Sequence, residues 1–219
     1  MKAILDFLSD LQQNNTREWF DENRKRYEKS KEQMLFFTEL MIQEIRKFDP
    51  DIPMMNPKDC LFRIFRDVRF SNDKSPYKTN MGSFIAAGGR KSDRAGYYIH
   101  LEPGGSFLGG GVWCPQPEPL KAIRYEIVDN AQDFKSIIND PNFSKYYKNI
   151  EGEKLKTAPK GFDKEFTDID LLKYKSYAFT TPIRDEQIIG PDFIDFAISA
   201  FKELHKANQF INTALAKYL

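Results

Sequence analysis

Ionisable residues crowd one short stretch, Leu61 to Asn80, LFRIFRDVRFSNDKSPYKTN. Arg63, Arg66, Asp67, Arg69, Asp73, Lys74, Tyr77 and Lys78 all fall within it. Arginine forks, lysine point charges and a phenol are the groups that grip phosphate or carboxylate. Asp67 or Asp73 can orient an arginine, act as a base or hold a metal. We read Arg63, Arg66, Arg69, Lys74 and Lys78 as candidate ligand-binding residues. Asp67, Tyr77 and His100 are the candidate polar or acid–base groups.

These residues are placed by a segment that reads as a strand, Leu61 to Phe70. Side chains on a strand alternate between faces. Phe62, Ile64, Arg66, Val68 and Phe70 fall on an inner face, and Arg63, Phe65, Asp67 and Arg69 on an outer one. Arg66 is the anomaly, because a guanidinium cannot be neutralised and needs a carboxylate when buried. Asp67 reaches it only across a bulge; Glu18, Asp21 and Glu22 are the alternatives. Interleaved Arg and Asp also form plain cross-strand ion pairs, so a structural clasp stands beside the binding site as a reading.

A second group lies in Tyr97-Tyr98-Ile99-His100-Leu101-Glu102. Alternation puts Tyr98, His100 and Glu102 on one face, a ladder suited to acid–base work. His205 reads as a solvent-facing helix residue beside Lys202 and Lys206. Two distant histidines and the cysteines Cys60 and Cys114 make neither a zinc pattern nor a disulfide framework. No metal site and no cofactor is expected, though a carboxylate-bound divalent cation needs few protein ligands. Gly104-Gly105-Ser106 and Gly109-Gly110-Gly111 lack the strand-to-helix context of a phosphate loop. The three consecutive glycines mark a bulge or a close backbone approach.

Around these groups the pattern is helical, then β, then helical. Ile4, Leu5, Leu8 and Leu11 predict a short helix. Asn15-Thr-Arg-Glu18 predicts a capping box with Asn15 as the cap, opening a long helix to about Phe48 that Asp49-Pro50 stops. Strands are expected at Leu61 to Phe70, Met81 to Ala87, Gly96 to Glu102, Ser106 to Cys114 and near 176–183, the third and fourth joined by Pro103-Gly104-Gly105. Helices follow from Pro119, with Asp168 capping a short one, and a last helix runs from near Pro191 towards Leu219. The fold class is α+β: a mostly antiparallel sheet of four to five strands packed against N- and C-terminal helices. We expect one domain over 1–219, with a helical segment at 1–49, the sheet core at 61–114 and a mainly helical remainder at 119–219.

Bulk composition limits the partners. In 219 residues, 33 Lys and Arg balance 32 Asp and Glu, a net charge of +1. No global field draws the protein onto nucleic acid, which is disfavoured as a partner, so any attraction for anions is local. The N-terminus lacks the apolar core of a signal peptide, and no run reaches the roughly 18 residues of a membrane span. A reduced cytoplasmic setting is expected, while composition is silent on oligomeric state.

The pattern Arg63-x-x-Arg66-Asp67-x-Arg69-Phe70-x-x-Asp73-Lys74-x-x-Tyr77 resembles the signature of an uncharacterised bacterial protein family with relatives in fungi. FLSDLQQNNTREWFDENRKRYE, GYYIHLEPGGSFLGGGVWCPQPEPLKAIR and LKTAPKGF extend the resemblance over nearly the whole chain. The resemblance implies no activity, substrate or cofactor; it implies that the charged stretch is the family's hallmark. The expected function is binding of, or action on, a small phosphate- or carboxylate-bearing ligand through that motif. The alternative is a non-catalytic protein- or nucleic-acid-interaction module in which the motif is an ion-pair clasp.

Overall fold

The structure is a computed structural model describing residues 1–218. Leu219, the expected limit of the last helix, lies outside the described residues. In chain order the helices α1 (Lys2–Gln13), α2 (Arg17–Glu22), α3 (Arg24–Ile45) and α4 (Pro57–Cys60) lead into strands β1 (Met81–Ile85), β2 (Gly96–Leu101) and β3 (Phe107–Val112). Helices α5 (Pro117–Asp129), α6 (Ala131–Ile138), α7 (Pro141–Tyr146) and α8 (Ile169–Leu172) follow. Strand β4 (Tyr177–Pro182), α9 (Asp185–Ile189) and α10 (Phe193–Tyr218) complete the chain. The strands form one antiparallel sheet in the order β1-β2-β3-β4, so the fold is α+β as expected.

The chain divides into two compact units. The first is Met1–Arg90, Tyr98–Leu108 and Pro182–Ile198. Its helical part is built on the apolar stripe of α1, where Ile4, Phe7, Leu8 and Leu11 are fully buried. The predicted long helix is broken in two at Asn23, which ends α2 and begins α3. Thr16, not Asn15, caps α2: its hydroxyl accepts from the Trp19 N–H at 3.2 Å.

Asn15 has a longer-range task. Its amide donates to the Tyr77 carbonyl at 3.0 Å and its Oδ1 accepts the Tyr77 N–H at 3.1 Å. The Tyr77 ring stacks on Phe20, with centroids 3.9 Å apart and an 11° tilt. Phe7, Tyr27 and Phe65 complete this aromatic cluster. Spacing around Asn15 sees only local caps, so a partner 62 residues away was not readable there.

The second unit is Lys91–Tyr97, Gly109–Thr181 and the chain from Ser199. Phe134, Phe143, Tyr147, Tyr177, Phe179, Phe201 and Leu204 form its core. The glycine row of β3 is the close approach the sequence predicts. A Cβ on Gly109, Gly110 or Gly111 would run into the carbonyl oxygen of Phe179, Gly96 or Tyr177 respectively. Side chains there would push β3 away from its neighbours, and glycine avoids this. Two local expectations are corrected in this unit. Asp168 stands at the N-cap position of α8, but its carboxylate does not bond the helix: both oxygens accept from the Lys135 ammonium at 2.9 Å. His205 is half-buried rather than solvent-facing, its Nδ1 3.2 Å from the Tyr97 hydroxyl.

Candidate functional site

Residues 61–70 do not form the regular strand expected of them. Two isolated antiparallel bridges, Leu61 to Ser83 and Phe65 to Tyr77, tie the stretch down. Between them Lys78 N–H donates to Ile64 O at 2.8 Å, and just beyond the second Arg66 N–H donates to Pro76 O at 2.9 Å. The result is an irregular hairpin with the charged loop 67–75 at its tip. Inward and outward alternation persists from 63 to 69, where Ile64, Arg66 and Val68 are more buried than Arg63, Phe65, Asp67 and Arg69, and fails at the two ends. Ile64 is buried, but Phe62 and Phe70, assigned to the inner face, are 37% and 97% exposed. With no continuous ladder, nothing extends the period of two to those two ends.

Arg66, half-buried, takes its carboxylate from Asp73 at the far side of the loop. It also lies within reach of the Ser71 hydroxyl, at 3.4 Å. Neither Asp67 nor Glu18, Asp21 or Glu22 is the partner. Asp73 is held well below the usual carboxylate range, first by the Ser75 hydroxyl and N–H and then by Arg66. Asp67 pairs with Arg69, two residues on, at 2.7 and 2.9 Å, and this lowers its pKa. The Lys74 ammonium donates to the Val68 carbonyl at 3.0 Å. Arg66, Arg69 and Lys74 are therefore held in separate local contacts around the loop. Tyr77 is placed in the aromatic cluster, 5% exposed.

Arg63 and Lys78 are different. Neither has a salt-bridging carboxylate among the described residues. Burial first, and then the nearby Arg63 charge, lower the pKa of Lys78. The Lys78 ammonium lies over the Phe62 ring at 5.8 Å, and Phe62 meets Tyr98 edge-on at 6.1 Å. This brings Lys78 to the ladder on β2.

That ladder is a continuous hydrogen-bond chain within the first unit. Tyr97, Ile99 and Leu101 are fully buried, while Tyr98, His100 and Glu102 share the other face, as alternation predicts. His100 Nε2 is 3.1 Å from Glu102 Oε2, and His100 Nδ1 is 3.1 Å from the Tyr98 hydroxyl. A carboxylate oxygen accepts, so Nε2 donates to Glu102, and in the neutral imidazole Nδ1 then accepts from Tyr98. Glu102 also accepts from the Thr79 hydroxyl at 3.0 Å. Phe107 of β3 stacks on the imidazole at 4.5 Å and 15°. Burial, reinforced by Glu102, pushes the Tyr98 phenol up to about 12, so it keeps its proton at neutral pH. Both imidazole nitrogens are engaged. His100 is thus a held residue, its ring fixed in one orientation.

A family model described as "Conserved hypothetical protein (DUF2461)" matches residues 3–210. The chain belongs to that family. Comparisons with curated proteins and with solved structures found no match. Membership in DUF2461 brings with it a description and no reaction. In this DUF2461 chain, no three His, Cys, Asp or Glu among the described residues are grouped to hold a metal ion. No helix among the described residues is long and apolar enough to cross a membrane. Sequence reasoning found the ladder and both cations but missed three contributors. Thr79 and Phe107 gave no signal by type. Gly82 gave only its smallness, yet a Cβ there would meet the Tyr98 hydroxyl at 2.7 Å.

Proposed function

We propose that the chain binds a small phosphate- or carboxylate-bearing ligand beside the Tyr98–His100–Glu102 face of β2, through Arg63 and Lys78. One observation carries the reading: two cations near one another, with no carboxylate in salt-bridging range among the described residues. Like charges held together disfavour each other, and a bound anion relieves this. Lys78 is also partly desolvated, which strengthens a charge-assisted bond to an anion. Phe62 offers an apolar surface beside the ammonium. His100 serves as a positioning group, keeping Tyr98 and Phe107 in place. In this reading the setting is cytoplasmic, in keeping with the two free thiols Cys60 and Cys114.

The local pairs favour a second role for the rest of the motif. Arg66 with Asp73 and Arg69 with Asp67 suit a clasp that shapes the loop. We read the run from Arg63 to Tyr77 as the family's signature on these grounds. Its outer members build the hairpin, and Arg63 meets the ligand.

A thermal-shift screen with inorganic phosphate, phosphomonoesters and small carboxylates tests the binding reading, since a ligand of the native state raises the melting temperature. Lys78→Met and Arg63→Gln should each weaken a hit by about tenfold, the loss of one charge-assisted contact. Arg69→Ala should leave it unchanged. A hit that persists in the Arg63→Gln, Lys78→Met double variant would refute the assignment.

A further inference from the structure

A cavity of about 310 Å3 opens where α9 gives way to α10, lined by Glu186, Gln187, Gly190, Asp192, Phe193 and Phe196. Its volume falls at the small end of ligand pockets, which begin at roughly 300 Å3. Phe193 is buried and its ring stacks on Phe37 of α3 at 5.1 Å and 23°, so this wall is fixed. Phe196 is half-buried. Glu186 and Asp192 are exposed, and neither carboxylate has a salt-bridge partner among the described residues. No lysine or arginine contributes to the lining.

We propose that this cavity binds a small organic ammonium ion, with Phe196 against its apolar body, the buried Phe193 as the fixed wall behind, and Glu186 and Asp192 around its charge. Each element of the lining selects for that class. Aromatic faces carry a negative quadrupole that attracts ammonium groups. An anion would meet two carboxylates and no cation. A neutral apolar guest would strip water from those carboxylates without replacing it. The site is opposite in sign to the one proposed at Arg63 and Lys78 and does not depend on it.

The two acids also sit at helix starts, Glu186 in the first turn of α9 and Asp192 just before α10. A carboxylate there complements the helix dipole. Neither carboxylate accepts a hydrogen bond from a helix N–H among the described residues. The dipole therefore explains a preference for acids but not the aromatic cavity between them.

Calorimetric titration of the full chain with choline tests the proposal, with 3,3-dimethylbutan-1-ol as the neutral isostere. Choline should bind saturably at millimolar concentration and the alcohol should not. Glu186→Gln should weaken choline by about fivefold and Phe196→Leu by a similar factor, the size of one ion pair or cation–π contact. Glu186 is exposed, so its variant keeps the fold, which a melting curve verifies. Equal binding of choline and the alcohol, absence of choline binding, or undiminished choline affinity in the Glu186→Gln, Asp192→Asn double variant would each overturn it.

Discussion

Tyr98 lies across Gly82: a methyl group on that glycine would come within 2.7 Å of the phenol oxygen. The hydroxyl has little room to retreat, because it donates to His100 on its own strand. Gly82→Ala should therefore break the Tyr98–His100 bond and free the imidazole. Tyr98→Phe should do the same without the clash. In both variants the His100 ring resonances should shift in an NMR spectrum, and Gly82→Ala should be the less stable by about 1–3 kcal/mol, the usual cost of overpacking. Unchanged His100 resonances in Gly82→Ala would contradict this geometry.

Alkaline unfolding reports on the same phenol. The folded pKa of Tyr98, about 12, exceeds its ordinary value of 10.0. Its contribution to stability is complete below pH 10 and is lost as pH rises through 10 to 12, because the unfolded chain ionises first. Two units correspond to roughly 2–3 kcal/mol at the top of that window. Denaturant titrations of wild type and Tyr98→Phe at pH 8 and near pH 12 should show the wild type losing more stability across the interval.

Asp73 behaves in the opposite sense. Its pKa is depressed, by Ser75 above all and by Arg66 next. The stabilisation is complete above the ordinary carboxylate pKa of 3.8 and drains away as pH falls from there towards the depressed value. Amide exchange at Ser75 should stay slow down to the ordinary carboxylate range and quicken below it. Asp73→Asn should make the loop exchange quickly at neutral pH, with the melting temperature little changed, because the Asp73 carboxylate is exposed.

Asn15→Ala removes both bonds to the Tyr77 backbone. At about 1 kcal/mol each, the variant should lose about 2 kcal/mol in chemical denaturation. Thr16→Ala, which removes only the α2 cap, should cost about 1 kcal/mol. Equal costs would mean that the Asn15 bonds add nothing beyond a local turn.

Periodicity read the β2 ladder correctly, because that strand has neighbours on both sides and one fully buried face. The same rule sorted residues 63–69 by burial but failed at Phe62 and Phe70, and the regular strand it implied is absent. That stretch has two bridges instead of a ladder, and its exposed phenylalanines follow the loop rather than a pleat. Arg66 was recognised as needing a carboxylate, but the choice of Asp73 depends on where the chain turns. Residue type does not encode that. Asn15 sits where a cap is common, so the local rule masked its distant bond. Helix α9 is only five residues long and carries too few turns to show a period. The helix–sheet–helix order was legible because apolar spacing over long segments averages out such local exceptions.

The bond between Asn15 and Tyr77 also has a timetable. A ribosome adding about 5–20 residues per second delivers Tyr77 roughly 3–12 s after Asn15. Throughout that interval Phe20 has Phe7 and Tyr27 beside it but lacks the Tyr77 ring that stacks on its face. Newborn chains shorter than 77 residues therefore carry this aromatic cluster with one face uncovered.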